Sequence, residues 1–288
     1  MLNAFTVDVE DYFQVSAFEK NIARSQWADF PHHVVDNTER ILDLLAEHEV
    51  KGTFFVLGWV ADHYPQLVRR IADAGHELAS HSYWHRLVYE LTPEQFREDL
   101  RNSKRAIEDA SGVAVDCYRA PSFSITRKSI WALEILVEEG FSCDSSVFPI
   151  VHDRYGIPDA KTGIHQIQTP SGPIWEFPPS VRRLAGMNLP VSGGGYFRLY
   201  PYAFTANSFW RINHQQNEAF MFYVHPWEVD VEQQRMPFAK GATRFRHYVN
   251  LHTTEHKLRR LLRGFSFGTI SDVLRPYVES TQQNLCKT

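Results

Sequence analysis

Gly75-His76-Glu77-Leu78-Ala79-Ser80-His81-Ser82-Tyr83-Trp84-His85 is the stretch on which the reading of this chain turns. His76 to Ala79 alternates as a short strand does, and Ser80-His81-Ser82 carries the chain out of it. From positions four apart, His81 and His85 reach one point on a helical turn or in a tight loop. Neutral imidazole is a good zinc ligand, and two of them leave positions for an acidic ligand and a water. The chain holds 14 histidines, so the pair alone is weak evidence and its company decides.

Upstream, Leu2 to Val9 is a β-rich alternation that ends in the acidic Asp8-Val9-Glu10-Asp11, and residues 12–35 read as a long aromatic loop. Asp36-Asn37-Thr38-Glu39 opens a helix whose apolar face is Ile41, Leu42, Leu44 and Leu45. Lys51–Leu57 reads as a strand buried on both sides, and Pro65–Ala74 as a helix stopped by Gly75. Downstream, Thr92-Pro93-Glu94-Gln95 has cap, first-turn proline and capping-box glutamine, and starts a helix to Gly112. Val115–Tyr118 is a strand leading into Arg119-Ala120-Pro121. Thr126–Gly140 is a helix, and Phe141–Ser146 another strand and its exit.

This alternation predicts an α/β chain, a parallel sheet with helices outside it, in open or barrel form. In such folds chemistry sits at the carboxyl ends of strands. Asp8–Asp11, His81/His85, Arg119–Pro121 and Asp144-Ser145 each fall just after a predicted strand. Later, Ile164–Gln168 and Pro173–Phe177 are short strands, Ser192–Gly195 a loop and Tyr202–Asn217 a helix. Phe220–Val224 is a buried strand ending at His225-Pro226-Trp227-Glu228, a fifth such cluster. Thr253–Arg263 reads as a basic helix, Phe265–Ile270 as a last strand, Ser271–Tyr277 as a cap on the core and 279–288 as a frayed polar tail.

A chain of 288 residues can bury a full core in one domain. Net charge of −4 offers no basic field for nucleic acid or an anionic membrane. Aromatic content of 14% suits a sugar-stacking cleft or a well-filled core. Cys117, Cys143 and Cys286 are too widely spaced for a zinc ribbon or a disulfide framework, and free thiols suit a reducing compartment. The amino-terminal residues do not read as a signal peptide and no apolar run is long enough to span a bilayer. The expectation is a cytoplasmic protein.

Taken in order, the five clusters resemble the motifs of the polysaccharide deacetylases, the NodB-homology or carbohydrate esterase family 4 group. The matching residues are Asp8–Asp11, His81-Ser82-Tyr83-Trp84-His85, Arg119-Ala120-Pro121, Asp144-Ser145 and Tyr223-Val224-His225. Val7–Val15, Gly193–Arg198 and His225–Glu228 look closer still to members associated with exosortase and exopolysaccharide loci. The resemblance implies a distorted (β/α) barrel of seven strands in a single catalytic domain, 1–288, with 230–288 as a C-terminal extension.

It also implies metal-dependent removal of N-acetyl groups from an amino sugar of an exopolysaccharide or its precursor, with one divalent ion, zinc, and, for a cytoplasmic protein, action on a precursor at the inner face of the membrane. By resemblance His81 and His85 are metal ligands, Asp8 the general base, Arg119 its partner and His225 the general acid. The backbone N–H near Ser122 would hold the oxyanion, and Asp144 would tune His225 or bind substrate. Trp84, Phe123, Tyr196 and Trp227 are candidates for sugar stacking. The usual pattern has two adjacent aspartates, but here Val9 follows Asp8. On a strand Asp8 and Glu10 share a face, which favours Glu10 as third ligand; a turn after Asp8 would present Asp11 instead. Two other readings are an allantoinase-like amidase and a non-catalytic carbohydrate-binding protein, and O-deacetylation shares the same oxyanion geometry.

Overall fold

A computed structural model describes residues 1–285. The strands expected in the first half are present as β1 (Leu2–Val9), β2 (Thr53–Val56), β3 (Glu77–Ser80), β4 (Cys117–Tyr118) and β5 (Cys143–Asp144). β6 (His165–Thr169) and β7 (Gly172–Glu176) form an antiparallel hairpin, and β8 (Val181–Leu184) and β9 (Met187–Pro190) a second, separate one. β10 (Met221–Val224) and β11 (Ser266–Gly268) both pair with β1.

The main sheet runs β10-β1-β2-β3-β4-β5-β7-β6, with β11 against the first residues of β1. It has nine strands where seven were expected; the run from β10 to β7 is parallel throughout. The architecture is the expected distorted (β/α) barrel, open between β10 and β6. The stretch expected as a C-terminal extension contributes β11 to the sheet itself.

The helices are α1 (Val34–Glu47), α2 (Gly58–His63), α3 (Pro65–Asp73), α4 (Pro93–Ser111), α5 (Ala132–Glu138), α6 (Gly194–Leu199), α7 (Tyr202–Arg211), α8 (Gly241–Tyr248), α9 (Thr254–Gly264) and α10 (Ile270–Leu285). α4 starts as its sequence predicts: Thr92 Oγ1 accepts the Gln95 N–H, Gln95 Oε1 accepts the Thr92 N–H, and Gly112 closes the helix at φ 73°.

Three expectations need correcting. α1 starts at Val34 rather than near Asn37, because its free N–H groups are capped by the distant Asp11. α5 is shorter than Thr126–Gly140, the residues before it forming turns. α10 runs on to Leu285, so the polar stretch 279–285 is helical rather than frayed.

Strand alternation divides the apolar residues between two layers. Phe54 and Val56 face the outer helices with Ile41, Leu45 and Leu100. Phe55, Ala79, Cys117, Cys143 and Met221 face the interior, which Ile270, Val273 and Leu274 of α10 close. Cys117 and Cys143 are buried there, and burial pushes the Cys117 thiol up, which keeps it inert; Cys286 lies outside the described residues. No helix among the described residues is long and apolar enough to cross a membrane.

Candidate metal centre and active site

Parallel register sets the site. Val7 pairs with Val224, Val9 with Val56, Val56 with Ser80, Ser80 with Tyr118 and Tyr118 with Asp144. Asp8, Glu10, His81, Ala120 and His225, just after such positions, therefore leave the sheet at one level and line one cleft of about 930 Å3.

The loop after β3 is held from two sides. Gly58 and Trp59, at the start of α2, donate their N–H groups to the Ser82 and Tyr83 carbonyls. The buried Asp99 carboxylate accepts the N–H groups of Tyr83 and Trp84 at 2.9 and 3.3 Å. These contacts keep Ser82 at φ 72° and His85 at φ 52°. Such left-handed conformations cost roughly 1–3 kcal/mol each and cluster at functional sites. Ser122 and Phe123, across the cleft, are also left-handed, at φ 52° and 53°.

Ligand atoms of Glu10, His81 and His85 all lie within 4.8 Å of one another. The His81 Nδ1–H donates to the Arg119 carbonyl at 2.8 Å. A carbonyl can only accept, so Nδ1 carries the proton and Nε2 presents its lone pair. Burial pulls the His81 pKa down to about 4, which keeps the ring neutral. Glu10 Oε2 stands 2.8 Å from His85 Nε2 yet makes no hydrogen bond, and is a buried oxygen without a partner. Burial raises the Glu10 carboxyl, but His85 above all, with His225 and His81, outweighs it and holds the pKa at about 2. One carboxylate and two imidazoles aimed at one point fit a divalent cation of the zinc type.

Asp11 does not join this group. Its carboxylate accepts the backbone N–H groups of Tyr12, His33 and Val34 at 2.9, 2.7 and 3.0 Å. β1 ends at Val9, and Glu10 keeps the strand's facing while Asp11 turns to cap α1. Of the two acidic candidates, the structure brings Glu10 to the histidines.

Asp8 is fixed by Arg119, whose Nη1 donates to Asp8 Oδ1 at 2.6 Å and to Thr6 Oγ1 at 2.8 Å. The Arg119 Nη2 donates to Ser145 Oγ, and the guanidinium lies 3.9 Å over the Phe55 ring. Opposite, the His225 Nε2 stands 3.9 Å from Asp8 Oδ2 and 3.7 Å from Glu10 Oε1. Its Nδ1–H donates to Glu228 Oε1 at 2.7 Å, and Glu228 Oε2 accepts from Arg198 Nε at 2.6 Å. Burial lowers the His225 pKa, but the Glu228 bond and the charges of Glu10, Glu228 and Asp8 raise it to about 9. The ring is therefore protonated at neutral pH.

Two candidates lie elsewhere and a third is only partly as expected. Asp144 is wholly buried, accepts the Ser146 hydroxyl and N–H, and shares its surroundings with Glu176; it touches neither His225 nor the cleft. Trp84 packs on Trp27 and Tyr83, away from the cleft. Trp227 lines the cleft but is only 5% exposed, stacked on His225 and His247, with its N–H on Glu10 Oε1 at 3.2 Å. Its placement suits steadying Glu10 and His225 better than stacking on a sugar.

Ser122, Phe123 and Tyr196 do line the cleft. Phe123 and Ser124 donate their N–H groups within the turn, and the Ser122 N–H has no acceptor among the described residues. Glu228 and Arg198 went unassigned in the sequence. The His-Pro-Trp-Glu spacing, a capping-box spacing, carries a signal for Glu228, which also accepts the His225 N–H at 3.1 Å. Nothing in the sequence marks Arg198 as buried.

Residues 20–136 match the family model described as polysaccharide deacetylase, and residues 145–275 match a domain of unknown function (DUF3473). The peptidoglycan-N-acetylglucosamine deacetylase of Bacillus cereus is 34% identical over 98 residues, 34% of this chain and 36% of that protein. The chitooligosaccharide deacetylase of Rhizobium leguminosarum bv. trifolii is 35% identical over 99 residues, 34% of this chain and 43% of that protein. The match thus spans less than half the length of these curated relatives. A crystal structure from Mycobacterium smegmatis, provisionally named a polysaccharide deacetylase, superposes with a TM-score of 0.64 over 98% of this chain and 91% of that one, at 20% identity. At that identity the likeness speaks for the fold. The family match and the relatives agree: residues 20–136 of this chain belong to a polysaccharide deacetylase domain of the NodB-homology, carbohydrate esterase family 4 type.

Proposed function

We propose that this chain is a metal-dependent hydrolase that removes N-acetyl groups from an amino sugar of an exopolysaccharide or its precursor. The observation that carries this reading is one cleft that holds the Glu10–His81–His85 group, with Asp8 of the Asp8–Arg119 pair and His225 of the His225–Glu228 pair on its lining. A divalent ion such as zinc, held by Glu10, His81 and His85, supplies Lewis acidity toward a carbonyl oxygen and toward water.

The chain's own residues supply the rest. Asp8, aimed by Arg119, takes the proton of the attacking water. The Ser122 N–H donates to the carbonyl oxygen as charge builds on it. His225, protonated at neutral pH, gives the Nε2 proton to the departing sugar nitrogen, and Glu228 keeps that proton in place beforehand. The cleft is larger than a small cyclic amide needs, which disfavours the amidase reading. A paired base and a paired acid disfavour a purely binding role. The names of the two relatives carry N-acetylated sugar substrates, which supports the substrate class.

The test is metal content and acetate release. The wild-type chain should bind about one zinc-type ion and release acetate from N-acetylated oligosaccharides. A protein that stays metal-free when zinc is supplied, or that holds the ion yet releases no acetate from any such sugar or its O-acetylated counterpart, overturns the reading.

A further inference from the structure

More than half of the cleft wall comes from residues 145–275, the segment that matches a domain of unknown function. That segment supplies His225, Glu228 and Arg198 to the site. It also supplies a wall that the proposed chemistry leaves unused, formed by residues 151–155 after β5, by α6 and by α8.

On this wall stand Arg154 and Arg246, from two separate segments, both exposed and both lining the cleft. Arg154 donates its backbone N–H to His152 Nδ1, and the Arg246 carbonyl accepts from Arg198. Neither guanidinium has an ion-pair partner among the described residues.

Three of the acids nearby are already engaged, and Asp153, beside a His152 Nδ1 that accepts the Arg154 N–H, is an open carboxylate on the same wall. Glu228 is held by Arg198, Asp8 by Arg119, and Glu10 belongs to the metal group. Asp153, 72% exposed in its side chain, lies 3.0 Å from His152 Nδ1. Both arginines and Asp153 act on His152: burial lowers its pKa first, the Asp153 charge raises it, and the charges of Arg246 and Arg154 lower it further. There the His152 and Tyr155 rings stack with centroids 3.8 Å apart, and both line the cleft. A guanidinium offers a planar fork of donors that matches a carboxylate or a phosphate.

We propose that this wall reads an anionic group, a carboxylate or a phosphate, carried by the substrate beside its acetamido sugar. Arg154 and Arg246 are its ligands and the His152–Tyr155 pair its stacking platform. The inference rests on the deacetylase reading and gives the 145–275 segment its part in it, as the substrate-selecting side of the same cleft.

The test is calorimetric titration with three probes: neutral N-acetylchitotetraose, a hyaluronan tetrasaccharide, which alternates N-acetylglucosamine with glucuronate, and N-acetylglucosamine 1-phosphate. The wild-type chain should bind one anionic probe about tenfold or more tighter than the neutral one, less so at raised salt. Which anionic probe wins tells uronate from phosphate. In R154Q/R246Q the preference should collapse, and in R154K/R246K part of it should remain, since the charge is kept and the fork lost.

Equal binding of all probes, no binding of either anionic probe, or a preference that survives in R154Q/R246Q overturns the proposal. So does retention on phosphatidylglycerol vesicles that the glutamine variant loses, without any preference among the saccharides, which assigns the arginines to a membrane surface. Acetate release is scored separately. Preference without acetate from any probe sinks the deacetylase reading and keeps this one; acetate without preference does the reverse.

Discussion

The Nδ1–H of His225 donates to Glu228 Oε1 at 2.7 Å, and the whole residue pair sits within one turn, three positions apart. Glu228 is itself anchored by Arg198, whose remaining N–H groups bond the carbonyls of Arg246, His247 and Val249. The approach that makes this possible is at Gly193. A Cβ there would meet the Tyr223 carbonyl oxygen at 1.9 Å, so only glycine lets α6 start against β10 and bring Arg198 to Glu228.

Glu228→Gln should therefore weaken the acid without touching the metal group. Losing the carboxylate charge lowers the His225 pKa from about 9. An acid works only while protonated, so the alkaline limb of the pH–rate profile should move to lower pH. Turnover of an acetamido sugar should fall roughly 10–100-fold, as is usual for a residue that orients a working group. Hydrolysis of an aryl acetate, whose leaving group needs no proton, should fall much less. Equal loss on both substrates would show that the change is merely structural.

Asp8→Asn should abolish most turnover, by about 10²–10⁴-fold, while zinc content stays at the wild-type level. Arg119→Met leaves the Asp8 carboxylate buried and unpaired. Breaking a buried pair from one side costs about 3–5 kcal/mol, so chemical denaturation should show a large loss of stability for Arg119→Met and a smaller one for Asp8→Asn. Retained turnover in Asp8→Asn removes Asp8 as the base.

Glu10→Ala and the His81→Ala/His85→Ala double variant should both lose the ion, measured by elemental analysis. Asp11→Ala should keep it and instead lose about 0.5–2 kcal/mol of stability, the usual worth of a helix cap. Zinc should raise the melting temperature of the wild type and of Asp11→Ala but not of the ligand variants, because only a folded site binds it. Metal loss in Asp11→Ala with retention in Glu10→Ala would reverse the assignment of the third ligand.

Asp144 and Glu176 form a buried acidic pair on adjacent strands, at Tyr118 and Val147 rather than in the cleft. Burial raises both, Asp144 to about 6 against the lowering effect of its Glu176 hydrogen bond, and Asp144 raises Glu176 further by its nearness. The folded chain therefore holds protons that the unfolded chain releases near pH 4. Stability from this pair is full below that pH and declines as pH rises through about 6, because the native state then binds more protons than the unfolded one. Urea midpoints taken across pH 4–7 should fall more steeply for the wild type than for Glu176→Gln. Parallel slopes would show that the pair shares no proton.

How much of this was legible in the sequence depends on whether the signal was local. The strand ends at Asp8, His81, Arg119 and His225 could be placed because alternation and short apolar runs mark strands, and parallel strands put their carboxyl ends together. The α4 caps were legible because cap and partner lie three residues apart. The start of α1 was not, because its cap, Asp11, is supplied from another element. The β8–β9 hairpin and the late course of α10 were missed where the pattern of apolar residues is weak.

The sequence by itself determined the parallel α/β order and put His81, Asp8, Arg119 and His225 at strand ends, since each lies at the end of a strand whose direction is already set; the roles proposed for them came from the family resemblance. Only the tertiary structure decided between Glu10 and Asp11, moved Asp144 and Trp84 out of the site, and brought Arg198 to Glu228. Those choices depend on which carboxylate finds donors across the fold and which ring loses its free face, and a residue's partners at long range are set by packing, not by its neighbours in the chain.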